Sequence, residues 1–127
     1  MIAKCDEFGQ TCVLVHNSCT LKEGDIVSYA DWKAWQKVNP GSGLVGHHPI
    51  SQKVLEANRY NVNEAPVVIM KALDHHRTAN FGWKGASQGT DLVQGIVTGF
   101  NDKILQQAVG KRFDELWQRT YKFLGWR

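Results

Sequence analysis

Two kinds of hydrophobic pattern divide this chain. Before residue 71, short apolar runs at residues 44–45 and 66–70 are bounded by turn-forming residues, a pattern typical of strands. From Thr90 onward, apolar residues recur at spacings of three and four, which indicates amphipathic helices. We therefore predict an α+β fold, in a chain whose 127 residues provide one modest core.

Three helices are predicted before residue 80. The first begins at Ser28, a candidate N-cap with acidic Asp31 at the third helical position, and ends at the turn 39–43. Shorter helices are predicted at residues 51–58 and 71–80. The apolar face of the first helix repeats at three-residue spacing and consists of Trp32, Trp35 and Val38.

The C-terminal third contains two predicted helical stripes. The second stripe starts after Asn101, a candidate N-cap, and Gly99 and Gly110 are expected to break or bend the helices. The first stripe consists of Leu92, Val93, Ile96, Val97 and Phe100, and the second of Ile104, Leu105, Ala108, Val109, Phe113, Leu116, Trp117, Phe123 and Leu124.

The N-terminal segment, residues 1–27, is treated separately from a domain at residues 28–127. An apolar run at 12–15 precedes His16-Asn17-Ser18-Cys19. This tetrapeptide resembles the C-terminal splice junction of intein-like Hint domains, where an asparagine cyclises and the following peptide bond breaks. That reading makes the segment the remnant of an autoprocessing module, and the alternative is an ordinary strand that ends in a turn.

The composition is that of a globular protein, with 43% hydrophobic and 21% charged residues. No window approaches the ~18 uninterrupted apolar residues of a membrane helix, and the N-terminus lacks a signal-peptide core. The formal net charge is +3, and the last 17 residues are basic. A basic region suits a polyanion, although such charges also serve simply as a solvated surface. The basic residues are Lys111, Arg112, Arg119, Lys122 and Arg127.

Four of the five histidines form two adjacent pairs, His47-His48 and His75-His76. Phosphodiester hydrolysis needs a nucleophile made from water and a cation that neutralises charge on the phosphate. Adjacent residues on a strand point to opposite sides, so His47 and His48 are not expected to bind one metal together. We expect one imidazole to ligate metal and the other to accept a proton from water.

The second pair lies on the predicted helix 71–80. His76 and Asn80 are four residues apart and share a helix face, whereas His75 lies about 100 degrees away. At most one histidine of this pair is therefore expected to be a primary ligand. Arg77 provides a fixed positive charge for a phosphate oxygen. The alternative is that these histidines are not functional, because a single histidine in a protein is more often packed or solvated.

The residues Gly46-His47-His48, with Asn63 fifteen positions after His48 and a strand and helix following, resemble a known motif. It is the ββα-metal motif of the HNH/endonuclease VII superfamily, in the GHH form of bacterial polymorphic toxin domains. The resemblance implies a small core of two short strands and a helix, with additional helices packed on its N- and C-terminal sides.

The resemblance also implies a role for each matching position. His47 would be the first metal ligand, His48 the general base, and Asn63 the residue that aims His48. His75 or His76 would be the second ligand and Asn80 the third. The chain departs from the His-x-x-x-His ending of the colicin-type motif, which leaves the choice between His75 and His76 open. Further nucleic-acid contacts are expected from Trp83 and Lys84.

The implied function is a metal-dependent endonuclease acting on DNA, at the tip of a larger antibacterial effector that is secreted or delivered by contact. It would act in the target-cell cytoplasm, with one divalent ion (Zn²⁺, Mg²⁺ or Ni²⁺) and a cognate immunity protein in the producing cell. Two alternatives remain, an RNase toxin of the same fold and a non-catalytic, zinc-stabilised nucleic-acid-binding module.

Overall fold

The computed structural model describes residues 4–5, 12–13, 20–82, 84 and 88–126. The possible Hint-like junction at 16–19 and Trp83 lie outside the described residues. Near the N-terminus, strand β1 (Lys4–Cys5) pairs antiparallel with strand β2 (Cys12–Val13).

A three-stranded antiparallel sheet forms the centre of the protein. Strand β5 (Pro66–Lys71) lies between β3 (Ile26–Ser28) and β4 (Leu44–His47). The last residue of β4, His47, is opposite Val68 of β5. Because β5 is covered on both faces, its sequence is a continuous apolar run rather than an alternating one.

Helices cover both faces of this sheet, which confirms the predicted α+β class. On one face, Val67 and Ile69 pack with the two tryptophans of helix α1 (Tyr29–Val38). The other face belongs to the larger core cluster, which includes Val68 and Met70 of β5. Strand β3 contributes to both clusters and spans the boundary drawn at residue 27, so the packed core includes residues on the N-terminal side of that boundary.

The remaining helices are short. Among the described residues, no helix combines the length and apolar character that crossing a membrane requires. Their bounds are α2 Gln52–Ala57, α3 Ala72–His76, α4 Leu92–Phe100, α5 Lys103–Val109 and α6 Phe113–Phe123, with single 3₁₀ turns at Val62–Glu64 and Gly110–Arg112.

Helix starts were predicted better than helix faces. The Ser28 hydroxyl accepts a hydrogen bond from the backbone N–H of Asp31, as predicted. The predicted cap at Asn101 is wrong, because the Asp102 carboxylate accepts from the first-turn N–H groups of α5 and Asn101 instead ends α4. Val38, predicted on the apolar face of α1, is 52% exposed.

The predicted helix 71–80 is also wrong in its extent, since α3 ends at His76. The Thr78 hydroxyl donates to the carbonyl of His75, and the backbone N–H of Ala79 donates to Asp102. These bonds satisfy groups that a longer helix would pair internally. Residues 77–80 therefore turn back toward the sheet.

Helix α4 packs through glycines rather than through the whole predicted stripe. Val93, Val97 and Phe100 are at least 43% exposed, whereas Gly95 and Gly99 are buried. A Cβ atom on Gly99 would overlap the backbone carbonyl of Pro49. Gly99 therefore does not break the helix but allows it to approach the end of β4.

The C-terminal basic residues are partly used inside the fold. Arg119 donates to the carbonyl of Ile26 at 3.0 Å, and Arg112 lies 3.5 Å from the carboxylate of Asp25. Asp25 is only 4% exposed and also accepts from the backbone N–H of Lys22. These two arginines attach α6 and its preceding turn to the segment around β3.

Gly99→Ala should destabilise the protein despite the better helix propensity of alanine. The added methyl group meets a backbone carbonyl, which cannot move away as a flexible side chain can, so we expect a loss of about 1–3 kcal/mol in the free energy of unfolding. Urea denaturation measures it. Gly89→Ala is the control, because a Cβ there has no neighbour within 4 Å among the described atoms; equal stability of both variants would contradict the close packing.

Candidate functional site

A cavity of about 470 Å³ opens where β4 leaves the sheet. Its walls come from α1, the end of β4, the start of α2, α3 and the loop after α3. Among the described residues that line it, none is Asp or Glu, and Lys53 is a cation. The predicted site residues found in this lining are His47, His48, His75 and Asn80.

His47 is the last residue of β4 and is 1% exposed. Its ring centroid is 5.3 Å from that of His75, and its Nε2 atom is buried with no hydrogen-bond partner among the described residues. Burial, assisted by the neighbouring His75 and His48, lowers the pKa of His47 to about 3. At neutral pH this side chain is a neutral imidazole, the form that binds metal ions.

His48 is 6% exposed, and its ring lies 4.5 Å from that of Tyr29 in an edge-on arrangement. Its side chain donates a hydrogen bond to the backbone carbonyl of Val62. Because Nε2 has no partner among the described residues, the donor is Nδ1, so Nε2 of the neutral ring carries the lone pair. This is the tautomer that can accept a proton at Nε2.

The pKa of His48 is lowered to about 4. Burial is the largest cause; the hydrogen bond to Val62 opposes it, and the charges of His75 and Lys33 add to the lowering. His48 is therefore unprotonated at neutral pH.

The two histidines do not face opposite sides of a strand as predicted. β4 ends at His47, and His48 follows in irregular backbone, so both rings line the same cavity. They differ in their neighbours, since His47 lies against His75 and His48 against Tyr29. The division into a ligand and a base stays a prediction that these different surroundings accommodate.

The second pair separates into one residue inside the cavity and one outside. His75 is half-buried and lines the cavity, and burial together with the nearby His76 lowers its pKa. His76 is exposed, and its ring rests 4.3 Å from that of Phe81. His75 is thus the member of this pair that lies beside His47.

Asn80 does not share a helix face with His76, because α3 ends before it. Its Nδ2 donates to the backbone carbonyls of His48 and Pro49, each at 3.2 Å, and its Oδ1 accepts from Gln88 at 2.8 Å. A carbonyl oxygen has two lone pairs, so one remains for a metal ion. Neither these two bonds to the backbone nor the contribution of Gln88 was predicted from the sequence.

Asn63 is exposed, and its Oδ1 accepts a hydrogen bond from Lys33 at 2.5 Å. The bond that fixes His48 goes instead to the carbonyl of Val62, and the Asn61 side chain closes the 3₁₀ turn by accepting from the backbone N–H of Asn63. The predicted contact between Asn63 and His48 therefore requires correction.

The other predicted residues lie outside the cavity lining. Arg77 is exposed and follows α3, and Lys84 donates to the carbonyl of His76 at 3.3 Å. Tyr29 and Lys33, which are one helical turn apart on α1, were not predicted from the sequence as site residues. Their i, i+4 spacing, which places an aromatic ring and a cation on one helix face, was the available signal.

His47, His75 and Asn80 bring two imidazoles and an amide to one cavity, and these are groups that divalent cations accept as ligands. Within the described ranges, no three His, Cys, Asp or Glu side chains form a group placed to hold a metal ion. His47 and His75 are adjacent, and the unpartnered Nε2 of His47 is a buried polar atom that needs a partner. Two imidazoles and an amide oxygen leave room for water, as in catalytic metal sites.

The buried histidines should make the metal-free protein sensitive to acid. In the unfolded chain an imidazole titrates near ~6.5, whereas the folded pKa values of His47 and His48 are about 3 and about 4. Between about pH 6.5 and the folded pKa values, the unfolded chain binds more protons than the folded chain. The contribution of the two neutral histidines to stability is therefore complete above about pH 6.5 and is lost as the pH falls toward the folded pKa values. Each histidine should remove about 1.4 kcal/mol of unfolding free energy per pH unit within its window.

Urea denaturation in EDTA across pH 7.5 to 4.5 measures this dependence. His47→Gln should flatten it, because glutamine does not titrate. Identical slopes for wild type and His47→Gln would contradict the buried, neutral state of His47.

Comparisons of this chain with protein-family models, with curated proteins and with solved structures give no match.

Proposed function

We propose that this protein is a metal-dependent endonuclease that hydrolyses phosphodiester bonds of DNA. The observation that carries the proposal is that the His48 ring, held by its bond to the Val62 carbonyl, lines the same cavity as the adjacent rings of His47 and His75. A proton acceptor and a pair of neutral metal-binding imidazoles are thus brought together in one recess.

In the proposed reaction, His48 accepts a proton at Nε2 from the water that attacks phosphorus. The bond from phosphorus to one bridging oxygen breaks as the new P–O bond forms, and the departing oxygen takes a proton from solvent. The Val62 carbonyl keeps the ring in the correct tautomer and stabilises the imidazolium that forms. A divalent ion held by His47 and His75 would neutralise charge that develops on the phosphate oxygens. The absence of carboxylates among the described lining residues, and the presence of Lys53, suit an anionic substrate.

The donor set favours a borderline metal over a hard one. Imidazole nitrogens suit Zn²⁺ and Ni²⁺, whereas Mg²⁺ prefers carboxylate and other oxygen ligands, which this lining supplies only through amides, hydroxyls and backbone. We therefore rank Zn²⁺ and Ni²⁺ above Mg²⁺ as the resident ion.

The biological setting comes from the resemblance to GHH-type toxin domains. We propose that the domain is the tip of a bacterial effector, secreted or delivered by contact, that acts in the cytoplasm of a competing cell. A producing cell would then need an immunity protein that blocks the site. The same resemblance, rather than any individual contact, places DNA ahead of RNA.

Zn²⁺ should raise the melting temperature of the metal-free protein, because an ion that binds only the folded state stabilises it by mass action. At a hundredfold excess over the dissociation constant the gain is about 2.7 kcal/mol. His47→Ala should remove most of this shift, and His76→Ala should retain it. Thermal denaturation with and without ZnCl₂ measures the shift. If both variants lose the shift equally, the assignment of His47 as a metal ligand is contradicted.

His48→Ala should reduce plasmid cleavage by a factor of about 100 or more, since it removes the proton acceptor. The variant should keep its Zn²⁺-dependent gain in melting temperature. The assay incubates purified protein with supercoiled plasmid or total RNA, in Zn²⁺, Ni²⁺, Mg²⁺ or EDTA, with His76→Ala as the matched control.

The outcomes of this assay separate the candidate functions. Cleavage of RNA alone would move the proposal to an RNase, and no cleavage of either nucleic acid with any metal would overturn it. Full activity of His48→Ala would remove His48 as the base. Unfolding of His48→Ala together with loss of metal would favour a structural zinc module.

A further inference from the structure

Lys33 extends from α1 beside the histidine cavity. Its Nζ lies 4.8 Å from the centre of the Tyr29 ring, and that ring is 4.5 Å from the ring of His48. The same ammonium donates a hydrogen bond to Oδ1 of Asn63. Lys33 is therefore held from two sides, next to the residue proposed as the base.

The charge of this ammonium is not neutralised by an ion pair with any of the described residues. Within the described part of the chain, the ion pairs involve other cations, and both groups that hold Lys33, an aromatic ring and an amide oxygen, are uncharged. An ammonium has three donor hydrogens, and the bond to Asn63 uses one. Because the side chain is exposed, an incoming anion can reach the other donors.

We infer that Lys33 binds a backbone phosphate of the nucleic acid on the His48 side of the cavity, and that Asn63 is a positioning residue acting through Lys33. This inference rests on the proposed function. It also specifies on which side of the cavity the nucleic-acid strand lies. A neutral acceptor restricts the long lysine side chain without cancelling its charge, so less conformational freedom is lost when phosphate binds.

The first experiment measures binding without cleavage. The full chain carrying His48→Ala is titrated into a fluorescent DNA duplex at several salt concentrations, alone and with Lys33→Gln or Lys37→Gln added. Lys37 is the matched control, an exposed lysine one turn further along α1. Lys33→Gln should weaken binding several-fold and reduce the slope of log K against log salt by about one, whereas Lys37→Gln should leave the slope unchanged.

The second experiment tests how Asn63 acts. Cleavage efficiency is compared for wild type, Asn63→Ala, Lys33→Gln and the double variant, with melting temperatures confirming that each is folded. Asn63→Ala should lower cleavage efficiency several-fold in the wild type but have no further effect in Lys33→Gln, because its role is exerted through that lysine.

Three results would count against the inference. If the wild-type chain cleaves DNA but Lys33→Gln leaves the salt slope of the His48→Ala protein unchanged, the phosphate contact is overturned and the proposed function stands. If Asn63→Ala lowers cleavage efficiency further in the Lys33→Gln background, Asn63 does not act through Lys33, and a direct action on His48 is favoured. A wild-type chain that neither binds nor cleaves nucleic acid would overturn the proposed function, and the inference with it.

Discussion

The site depends on how the backbone is held where β4 leaves the sheet. Carbonyl groups at a strand end lose their ladder partners and need other donors if they are not solvated. Here both N–H groups of the Asn80 amide bind the carbonyls of His48 and Pro49. On another side, Gly99 of α4 lies directly against Pro49. The position of the two histidine rings therefore follows from a segment that two other parts of the chain hold in place.

This clamp is itself connected to the C-terminal helices. Gln88 fixes the Asn80 amide by donating to its Oδ1 and to the carbonyl of Ala79. Asp102 accepts from the N–H of Ala79 while it also caps α5. One buried carboxylate thus sets both the start of a helix and the path of the loop that reaches back to His48. A change in the packing of the C-terminal helices is consequently expected to reach the cavity through residues 79–80.

Burial of neutral histidines has opposite effects on stability and on the proposed chemistry. His47 and His48 are buried, each with a nitrogen that has no partner among the described residues, and an unsatisfied buried polar atom costs about 1–3 kcal/mol. The same burial keeps both imidazoles unprotonated at neutral pH, the state that metal binding and proton acceptance need. A local arrangement that costs stability but provides the protonation state needed for chemistry is typical of functional sites.

The sequence predicted the local elements better than the contacts between them. The cap at Ser28, the strand from Pro66 and the helix between Ser51 and Asn58 follow from local chemistry, and each is present. The early end of α3 was not predictable in this way, because it depends on Asp102, which is distant in sequence. The exposed face of α4 was missed for a similar reason, since its packing uses glycines that carry no hydrophobic signal.

The shortness of α3 also decides which histidine of the second pair can contribute to the proposed metal site. Had the helix continued to residue 80, His76 and Asn80 would have shared one face, and the asparagine could have acted as a helical partner of that histidine. Because the chain turns after His76, Asn80 instead reaches the backbone beyond β4, and His75 is the ring placed beside His47. The proposed metal pair thus combines a strand end with a one-turn helix, and Asn80 acts first on the backbone that carries His48.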